Sequence, residues 1–128
     1  MSSKTIIKTL HAPAPIGPYS QAILVNNTLY ASGQIAIDPS NGNIMDKSIE
    51  EETHQVMKNI KAILYEAKMS FDNIVKTSIF LSDMDFFSKV NDTYGKYFNG
   101  DYPARETIAV KTLPKNVNVE ISIMAIKS

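Results

Sequence analysis

The sequence feature that most constrains the fold is the alternation of apolar and polar residues near the C-terminal end. Residues 117–123 read Val-Asn-Val-Glu-Ile-Ser-Ile. Successive side chains of a β-strand point to opposite faces of its sheet, so this segment predicts a strand with one apolar and one polar face. Glu120 lies in the middle of the predicted strand, on its polar face. The apolar face requires a second layer of structure to cover it.

The first helix of that layer is predicted to begin at Ser48. Residues 48–51, Ser-Ile-Glu-Glu, fit a capping box, in which the Ser48 hydroxyl and the Glu51 carboxylate accept backbone N–H groups at the helix start. The apolar residues that follow recur at the spacing of one helix face: Val56, Ile60, Ile63, Leu64 and Ala67. Such a face is typical of a buried core.

A second helix is predicted after Asp83 or Asp85, because either side chain can cap it. Four residues share its apolar face: Phe87, Val90, Tyr94 and Phe98. The helix is expected to end at Asn99-Gly100, because glycine readily adopts the left-handed conformation that ends many helices.

Six strands are predicted around these helices. They comprise residues 5–9, 21–25, 28–33 and 74–81, and two strands on either side of a turn at residues 113–116. The second and third are expected to form a hairpin about Asn26-Asn27. The order strand, strand, strand, helix, strand, helix, strand, strand favours an α+β fold, with two helices over one face of a mixed six-stranded sheet.

The composition fits one globular domain, residues 1–128, with 44% hydrophobic and 20% charged residues. The 13 basic residues are balanced by 13 acidic ones. The chain therefore lacks the basic excess that is typical of nucleic-acid-binding proteins, and such binding is disfavoured. The absence of cysteine excludes disulfides, thiolate nucleophiles and cysteine-bound zinc.

Targeting signals and common catalytic motifs are also absent. The N-terminal segment lacks the apolar core of a signal peptide, and no run approaches the ~18 apolar residues of a membrane span, so we expect a cytoplasmic protein without a membrane partner. The sequence contains no phosphate-binding loop, no G-x-S-x-G and no H-E-x-x-H. His11 and His54 are too few for a metal cluster, so we expect no metal site and a surface or capping role for each histidine.

Arg105 and Glu120 are the strongest candidates for chemistry. A hairpin about Pro114 would bring them to a common sheet edge. One interpretation is a structural ion pair, because charged residues in strands are usually cross-strand partners. In the other, Arg105 binds a substrate carboxylate and Glu120 handles a water molecule. Glu106 is not expected to pair with Arg105, because adjacent strand residues point to opposite faces, whereas Thr107 shares the face of Arg105.

Four further residues have weaker individual signals. Tyr19 follows a proline-rich loop and Ser32 ends a strand, so turn chemistry or packing explains either one taken alone. Gly33 permits a close backbone approach, which suits a β-bulge or a ligand. Asn91 belongs to the second helix, where simple solvent exposure is the alternative to a binding role.

Taken together, the sequence resembles the RidA/YjgF family of small trimeric proteins. The matching stretches run in order along the chain: residues 14–22 (APIGPYSQA), 32–35 (SGQI), 74–77 (IVKT), 90–94 (VNDTY), 103–105 (PAR), 113–115 (LPK) and 119–121 (VEI). The resemblance implies a chorismate-mutase-like α+β fold and a homotrimer with a central barrel and sites between subunits. It also implies hydrolysis of 2-imino acids and their enamines, such as 2-iminobutanoate and 2-iminopropanoate, to 2-keto acids and ammonia.

The same resemblance assigns roles to individual residues. Arg105 would clamp the substrate carboxylate and Glu120 would act as the acid/base, with the backbone carbonyl of Thr107 also holding the water. The remaining substrate-binding positions would be Tyr19, Ser32, Gly33 and Asn91. No metal or organic cofactor is implied, because an imine is already electrophilic.

Two positions depart from the family pattern. Thr107 replaces a cysteine found in many relatives, a change that should be tolerated because the role belongs to the backbone carbonyl. Glu106 replaces a small residue, and its extra carboxylate leaves subunit packing and substrate preference open. Two alternative functions also remain open at this point. They are a ribonuclease or translation inhibitor, as ascribed to some relatives, and a non-catalytic binder of small carboxylates.

Overall fold

The structure, a computed structural model, describes residues 3–128. In this range the chain forms six β-strands and two α-helices, besides short 3-10 helices at residues 71–73, 84–86 and 114–116. The strands are β1 (Thr5–Ile7), β2 (Ala22–Val25), β3 (Thr28–Gln34), β4 (Ile74–Leu81), β5 (Ala104–Ala109) and β6 (Val119–Ile126). The helices are α1 (Ile49–Glu66) and α2 (Phe87–Gly95).

All six strands belong to one sheet, in the order β1-β2-β3-β6-β4-β5. Every neighbouring pair is antiparallel except β4 and β5, which are parallel. The predicted α+β fold, a mixed six-stranded sheet with two helices on one face, is confirmed.

The predicted hairpin between the last two strands is wrong. β4 lies between β5 and β6. Helix α2 carries the chain back across the sheet after β4, so β5 joins the sheet parallel to β4, as a strand-helix-strand crossover requires. The chain then passes through residues 110–118 and enters the sheet as β6, on the other side of β4. Arg105 and Glu120 are therefore not on neighbouring strands.

The turn between β2 and β3 forms as predicted. Asn26 has φ of 48° and Asn27 has φ of 69°. Positive φ at both central residues gives the twist that a two-residue hairpin needs, and asparagine tolerates it better than most residues.

Helix α1 begins with a side-chain cap, but α2 does not. The residue at the N-cap of α2, Phe86, makes no side-chain capping bond, so the predicted cap of this helix by Asp83 or Asp85 is wrong. The Ser48 hydroxyl accepts a hydrogen bond of 3.0 Å from the Glu51 N–H at the start of α1; the reciprocal bond of the predicted capping box is not formed among the described residues. Asp83 caps the 3-10 helix that precedes α2 and accepts from the Asp85 N–H at 2.8 Å. Helix α2 ends at Gly95, earlier than predicted.

The core lies between the helices and one side of the sheet, which we call the helix face. Its strand residues are almost completely buried: Leu29, Ile79, Leu81, Val119, Ile121, Ile123 and Ala125. The helices contribute Val56, Ile60, Ile63, Leu64, Val90 and Tyr94. Packing of this apolar surface is the main contribution to the stability of the fold.

The opposite side of the sheet, the open face, is not covered by a helix. The strand register places alternate residues there, and four large apolar side chains remain 37–48% exposed: Tyr30, Ile108, Met124 and Ile126. At one end, Phe80 packs against a small cluster formed by the loops, namely Ile35, Ile37, Leu113 and Val117. Neither helix is long and apolar enough to cross a membrane.

Candidate functional site

Arg105 is held in place by helix α2. It is in register with Thr77 of β4, so its side chain lies on the helix face. Its Nη1 donates a 2.7 Å hydrogen bond to Oδ1 of Asn91. The guanidinium carbon lies 5.4 Å from the ring centre of Tyr94 and 5.7 Å from that of Phe87, within the range of cation–π attraction. These contacts leave most of the guanidinium donors unused.

A cleft of about 320 Å³ opens beside this arginine. Asn91, Tyr94, Gly95, Tyr102, Pro103 and Arg105 line it. No carboxylate among residues 3–128 forms a salt bridge with Arg105, because the one salt bridge there joins Lys76 to Glu106. The interpretation of Arg105 as half of an ion pair with Glu120 is therefore wrong for the single chain. We call Asn91, Tyr94 and Arg105 the arginine cluster.

Glu106 points away from Arg105, as strand alternation predicts. Its carboxylate accepts a hydrogen bond from the Ser78 hydroxyl and lies 3.1 Å from Nζ of Lys76, on the open face. These partners, Ser78 foremost, lower the pKa of Glu106. Glu106 is thus neutralised within the chain and does not compete for Arg105.

Glu120 lies near the start of β6, as its second residue rather than at its middle. It is in register with Phe80 on the open face and is partly buried. Burial raises the pKa of the Glu120 carboxyl, because desolvation disfavours its charged form. A carboxyl with a raised pKa suits a group that must both take and return a proton near neutral pH.

Gly33 provides the space for this carboxyl. A Cβ added at Gly33 would lie 2.9 Å from the Glu120 carboxyl carbon, closer than real Cβ atoms approach other atoms. The register between β3 and β6 shifts between Ala31 and Gln34, so Gly33 sits in a β-bulge. Of the two alternatives that the sequence left open at Gly33, the β-bulge is formed, and a ligand contact stays a prediction.

Tyr19 and Ser32 lie beside Gly33. Tyr19 and Gly33 line the same small cavity, and the Tyr19 hydroxyl accepts from the Ile16 N–H at 3.2 Å. The Ser32 hydroxyl donates to the carbonyl of Ser20 at 2.6 Å, which ties β3 to the proline-rich loop. We call Tyr19, Ser32, Gly33 and Glu120 the glutamate cluster.

Gln21 holds that loop, a role that no sequence motif predicted. Its buried amide accepts from the Thr9 N–H at 2.7 Å and donates to the carbonyls of Thr9 and Pro13 at 3.0 and 2.9 Å. Prolines remove backbone donors but keep carbonyl acceptors, so a proline-rich loop needs side-chain donors nearby. This requirement was a usable sequence signal for Gln21.

Thr107 shares the face of Arg105, as predicted, because it is in register with the buried Ile79. Its Oγ1 is buried without a hydrogen-bond partner among the described residues. β5 pairs only with β4, so it is an edge strand and part of its backbone faces outward.

The two histidines lie apart from both clusters. Nδ1 of His54 is 2.7 Å from the Tyr97 hydroxyl, a contact that joins α1 to the segment after α2. The backbone N–H of His11 donates to the Thr9 hydroxyl at 3.1 Å. Within residues 3–128 there is no group of three or more His, Asp or Glu side chains arranged to hold a metal ion.

The arginine and glutamate clusters lie on opposite faces of the sheet. Arg105 faces the helices, Glu120 lies on the open face, and β4 separates their strands. One chain therefore does not bring the two side chains into a common pocket.

The sequence matches the family described as endoribonuclease L-PSP over residues 9–127. The chain belongs to this family, the RidA/YjgF family. Among the Rid structures it is similar to a Yersinia pestis protein of unknown function, with a TM-score of 0.95 and 49% identity over 98% of this chain and 100% of that one.

Members of the RidA/YjgF family are named for different functions, as two curated relatives show. A Lactococcus lactis protein named as a candidate regulator, AldR, is 53% identical and matches 94% of this chain and 95% of its own. The human 2-iminobutanoate/2-iminopropanoate deaminase is 44% identical and matches 97% of this chain and 90% of its own. Membership of the RidA/YjgF family therefore does not by itself determine the activity, which depends on the residues of the site.

Proposed function

We propose that this chain is an enamine/imine deaminase that hydrolyses 2-imino acids, such as 2-iminobutanoate and 2-iminopropanoate, to 2-keto acids and ammonia. The observation that carries the proposal is Arg105, a cation oriented by Asn91 in an open cleft with no carboxylate partner among the described residues. Human, mouse and bovine relatives at 44–45% identity bear the name of this activity.

The active site is shared between copies of the chain in a homotrimer. Because Arg105 and Glu120 lie on opposite sheet faces, one copy supplies the arginine cluster and the next supplies the glutamate cluster. The exposed apolar side chains of the open face support such an assembly, since their contact with another copy would remove them from water. A cyclic assembly repeats the same junction at each interface, so every site is equivalent.

Arg105 binds the substrate carboxylate. Two of its guanidinium N–H groups donate to the two carboxylate oxygens, a geometry that fixes the plane of the substrate. Asn91 accepts from Nη1 and leaves the other donors directed at the substrate. The imine carbon next to the carboxylate is thereby held in one place for attack.

Glu120 activates the attacking water. Its carboxylate takes a proton as the water oxygen bonds to the carbon of the protonated imine, and the C=N electron pair becomes the lone pair of an amino group. The resulting tetrahedral intermediate carries one hydroxyl and one amino group on the same carbon. Transfer of the proton from Glu120 to the amino group lets ammonia leave as the C=O bond forms, and the hydroxyl proton passes to the Glu120 carboxylate. Ammonia or solvent then removes that proton, so one water is consumed for each ammonia released.

The other site residues bind and orient. Tyr19, Ser32 and Gly33 shape the pocket around Glu120, and the backbone carbonyl of Thr107, on the outer strand of the sheet, is a second acceptor for the water. No cofactor is required for this reaction, because a protonated imine is electrophilic enough for water to add.

A coupled assay tests this function. Threonine dehydratase releases 2-iminobutanoate, and the rate of 2-ketobutanoate formation is measured with and without the protein. We expect the wild-type protein to accelerate 2-ketobutanoate release and Arg105→Ala to abolish the gain. A gain that the variant retains in full would refute the assignment of Arg105.

The family description makes ribonuclease activity the second candidate. It requires RNA binding that weakens as salt rises, because phosphate contacts release counterions. The balance of 13 basic and 13 acidic residues disfavours it. RNA cleavage that copurifies with the protein and depends on Glu120 would favour this candidate over the deaminase.

A further inference from the structure

Glu52 in the first turns of α1 is a charged residue with no access to solvent. Its exposed fraction is 0%. No basic side chain among residues 3–128 forms a salt bridge with it, since the single salt bridge there involves Glu106. Burial of a carboxylate is costly unless hydrogen bonds compensate for the lost water, so its partners indicate its role.

Within residues 3–128, the hydrogen bonds of the Glu52 side chain all lead to the start of β6. Oε2 accepts from the backbone N–H of Asn118 at 2.7 Å and from that of Val119 at 2.8 Å. Oε1 accepts from Nδ2 of Asn118 at 3.0 Å. The Glu52 carboxylate therefore binds the backbone N–H groups of the two residues directly before Glu120.

Asn118 extends this network to the end of β4. Its Oδ1 accepts from the Ser82 hydroxyl at 2.8 Å, and its carbonyl accepts from the Ser82 N–H at 3.0 Å. The chain arrives there from a turn in which Lys115 and Asn116 have φ of 57° and 56°. Strand ends fray easily, so these bonds stabilise the position at which β6 begins.

We propose that Glu52 is a positioning residue for the reaction: through the backbone of residues 118 and 119 it holds Glu120 over Gly33. The proposal rests on the deaminase function argued above. Glu120 is the next residue in the chain, and the contact with Gly33 leaves it little room. A small displacement of the strand start therefore moves the carboxylate away from the water that it activates.

Glu52→Gln tests the role with almost no change in shape. The amide oxygen still accepts from the two backbone N–H groups, but the amide nitrogen faces Nδ2 of Asn118, donor against donor. We expect kcat to fall on the order of 10- to 100-fold, because a displacement of about 1 Å at a catalytic group can cost 10²-fold. KM changes little, because Arg105 still binds the carboxylate.

A paired substitution provides the rescue. In the double variant Glu52→Gln with Asn118→Asp, the introduced glutamine amide donates to one oxygen of the new carboxylate while the Ser82 hydroxyl donates to the other. We expect the double variant to recover most of the lost kcat, whereas Asn118→Asp alone places two buried carboxylates together and is impaired. Glu50→Gln, which removes an exposed charge from the same turn of α1, serves as the matched control and keeps wild-type kcat.

The outcomes separate positioning from simple stabilisation. If Glu52→Gln lowers the unfolding temperature but leaves kcat and its pH profile unchanged, the positioning role is refuted. A carbon-detected NMR titration of the Glu120 carboxyl gives a readout without turnover: the positioning role predicts a changed Glu120 pKa in Glu52→Gln and its return in the double variant. An inactive wild-type protein would refute the deaminase function, whereas an unchanged Glu120 titration would refute the role of Glu52.

Discussion

At the scale of single residues, the position of Arg105 is determined by helix α2 rather than by a carboxylate. Asn91 fixes one guanidinium nitrogen of Arg105, and the guanidinium group lies over the rings of Phe87 and Tyr94. The Tyr94 ring is itself fixed by a 2.9 Å hydrogen bond between its hydroxyl and that of Thr77. Arg105 is therefore oriented before any ligand arrives, which lowers the cost of binding one.

Asn91→Asp should weaken substrate binding, because it places a carboxylate next to the Arg105 guanidinium. The new carboxylate would pair with Arg105 and compete with the substrate, so KM for a 2-imino acid should rise roughly fivefold, the equivalent of about 1 kcal/mol for an exposed ion pair. Asn91→Ala, which only removes the orienting bond, should have a smaller effect. Steady-state kinetics of both variants test this, and a KM for Asn91→Asp at or below the wild-type value would contradict the carboxylate clamp.

Glu120 should control the pH dependence of turnover. The ionised carboxylate is the active base, so kcat/KM should fall as pH falls through the pKa of Glu120. Because burial raises that pKa, the midpoint should lie above the ordinary glutamate value of 4.5.

Glu106→Gln is the control for this profile. The pKa of Glu106 is lowered by Ser78 and Lys76, so its titration lies below the ordinary value and its removal should leave the profile unchanged. A wild-type midpoint at or below 4.5 would argue against Glu120 as the base.

The sequence predicted some site residues and missed others for physical reasons. Strand alternation separated Arg105 from Glu106, because the direction of adjacent strand side chains is a local property. The structural roles of Gln21 and Glu52 were missed. Glu52 is one of several acidic residues at a helix start, where favourable interaction with the helix dipole is the ordinary explanation, and its partners lie far away in the sequence.

At the scale of elements, the order of strands and helices along the chain was predictable from the sequence. Which strands are neighbours in the sheet was not. Hydrophobic periodicity and turn residues gave all six strands and both helices in sequence. The position of β6 between β3 and β4 depends on how the whole sheet assembles, and no local pattern in residues 110–118 distinguishes a hairpin from a longer connection. The strand-helix-strand order of β4, α2 and β5 did carry a signal for the parallel pair.

Gly33→Ala tests the contact between the β3 bulge and β6. The added methyl group would meet the Glu120 side chain, which can swing away, so the fold should tolerate the change. We expect kcat to fall on the order of 10²-fold through displacement of the carboxylate, with little change in unfolding temperature. Lys61→Ala, at an exposed position of α1 outside both clusters, is the control and should keep wild-type kcat. Full activity in Gly33→Ala would show that Glu120 does not need its present position.

At the scale of the whole molecule, the open face is the surface through which copies of the chain would contact one another in the proposed assembly. Tyr30 and Met124 are in register on neighbouring strands and remain 48% and 37% exposed, and Ile108 and Ile126 add to the same surface. Exposed apolar side chains that share one sheet face favour contact with another protein.

Met124→Glu should dissociate the proposed trimer. A charge at the centre of the open face is tolerated in the single chain, where this position is partly exposed, but costs several kcal/mol when an interface buries it without a partner. Light scattering should show smaller particles that have lost deaminase activity. Tyr65→Glu, a charge at an exposed aromatic position of α1, should change neither mass nor activity, and an intact, active Met124→Glu assembly would contradict this use of the open face.

Subunit mixing tests the shared site most directly. Arg105→Ala and Glu120→Gln chains, each inactive alone, are unfolded and refolded together in equal amounts, and mixed assemblies are verified by native mass spectrometry. In a cyclic assembly, a site is intact when a Glu120→Gln chain supplies Arg105 and its Arg105→Ala neighbour supplies Glu120. With equal amounts and random assembly, this pairing occurs at about a quarter of the interfaces, so activity should return to about a quarter of the wild-type value. Mixed assemblies that remain as inactive as their parents would contradict a site shared between copies.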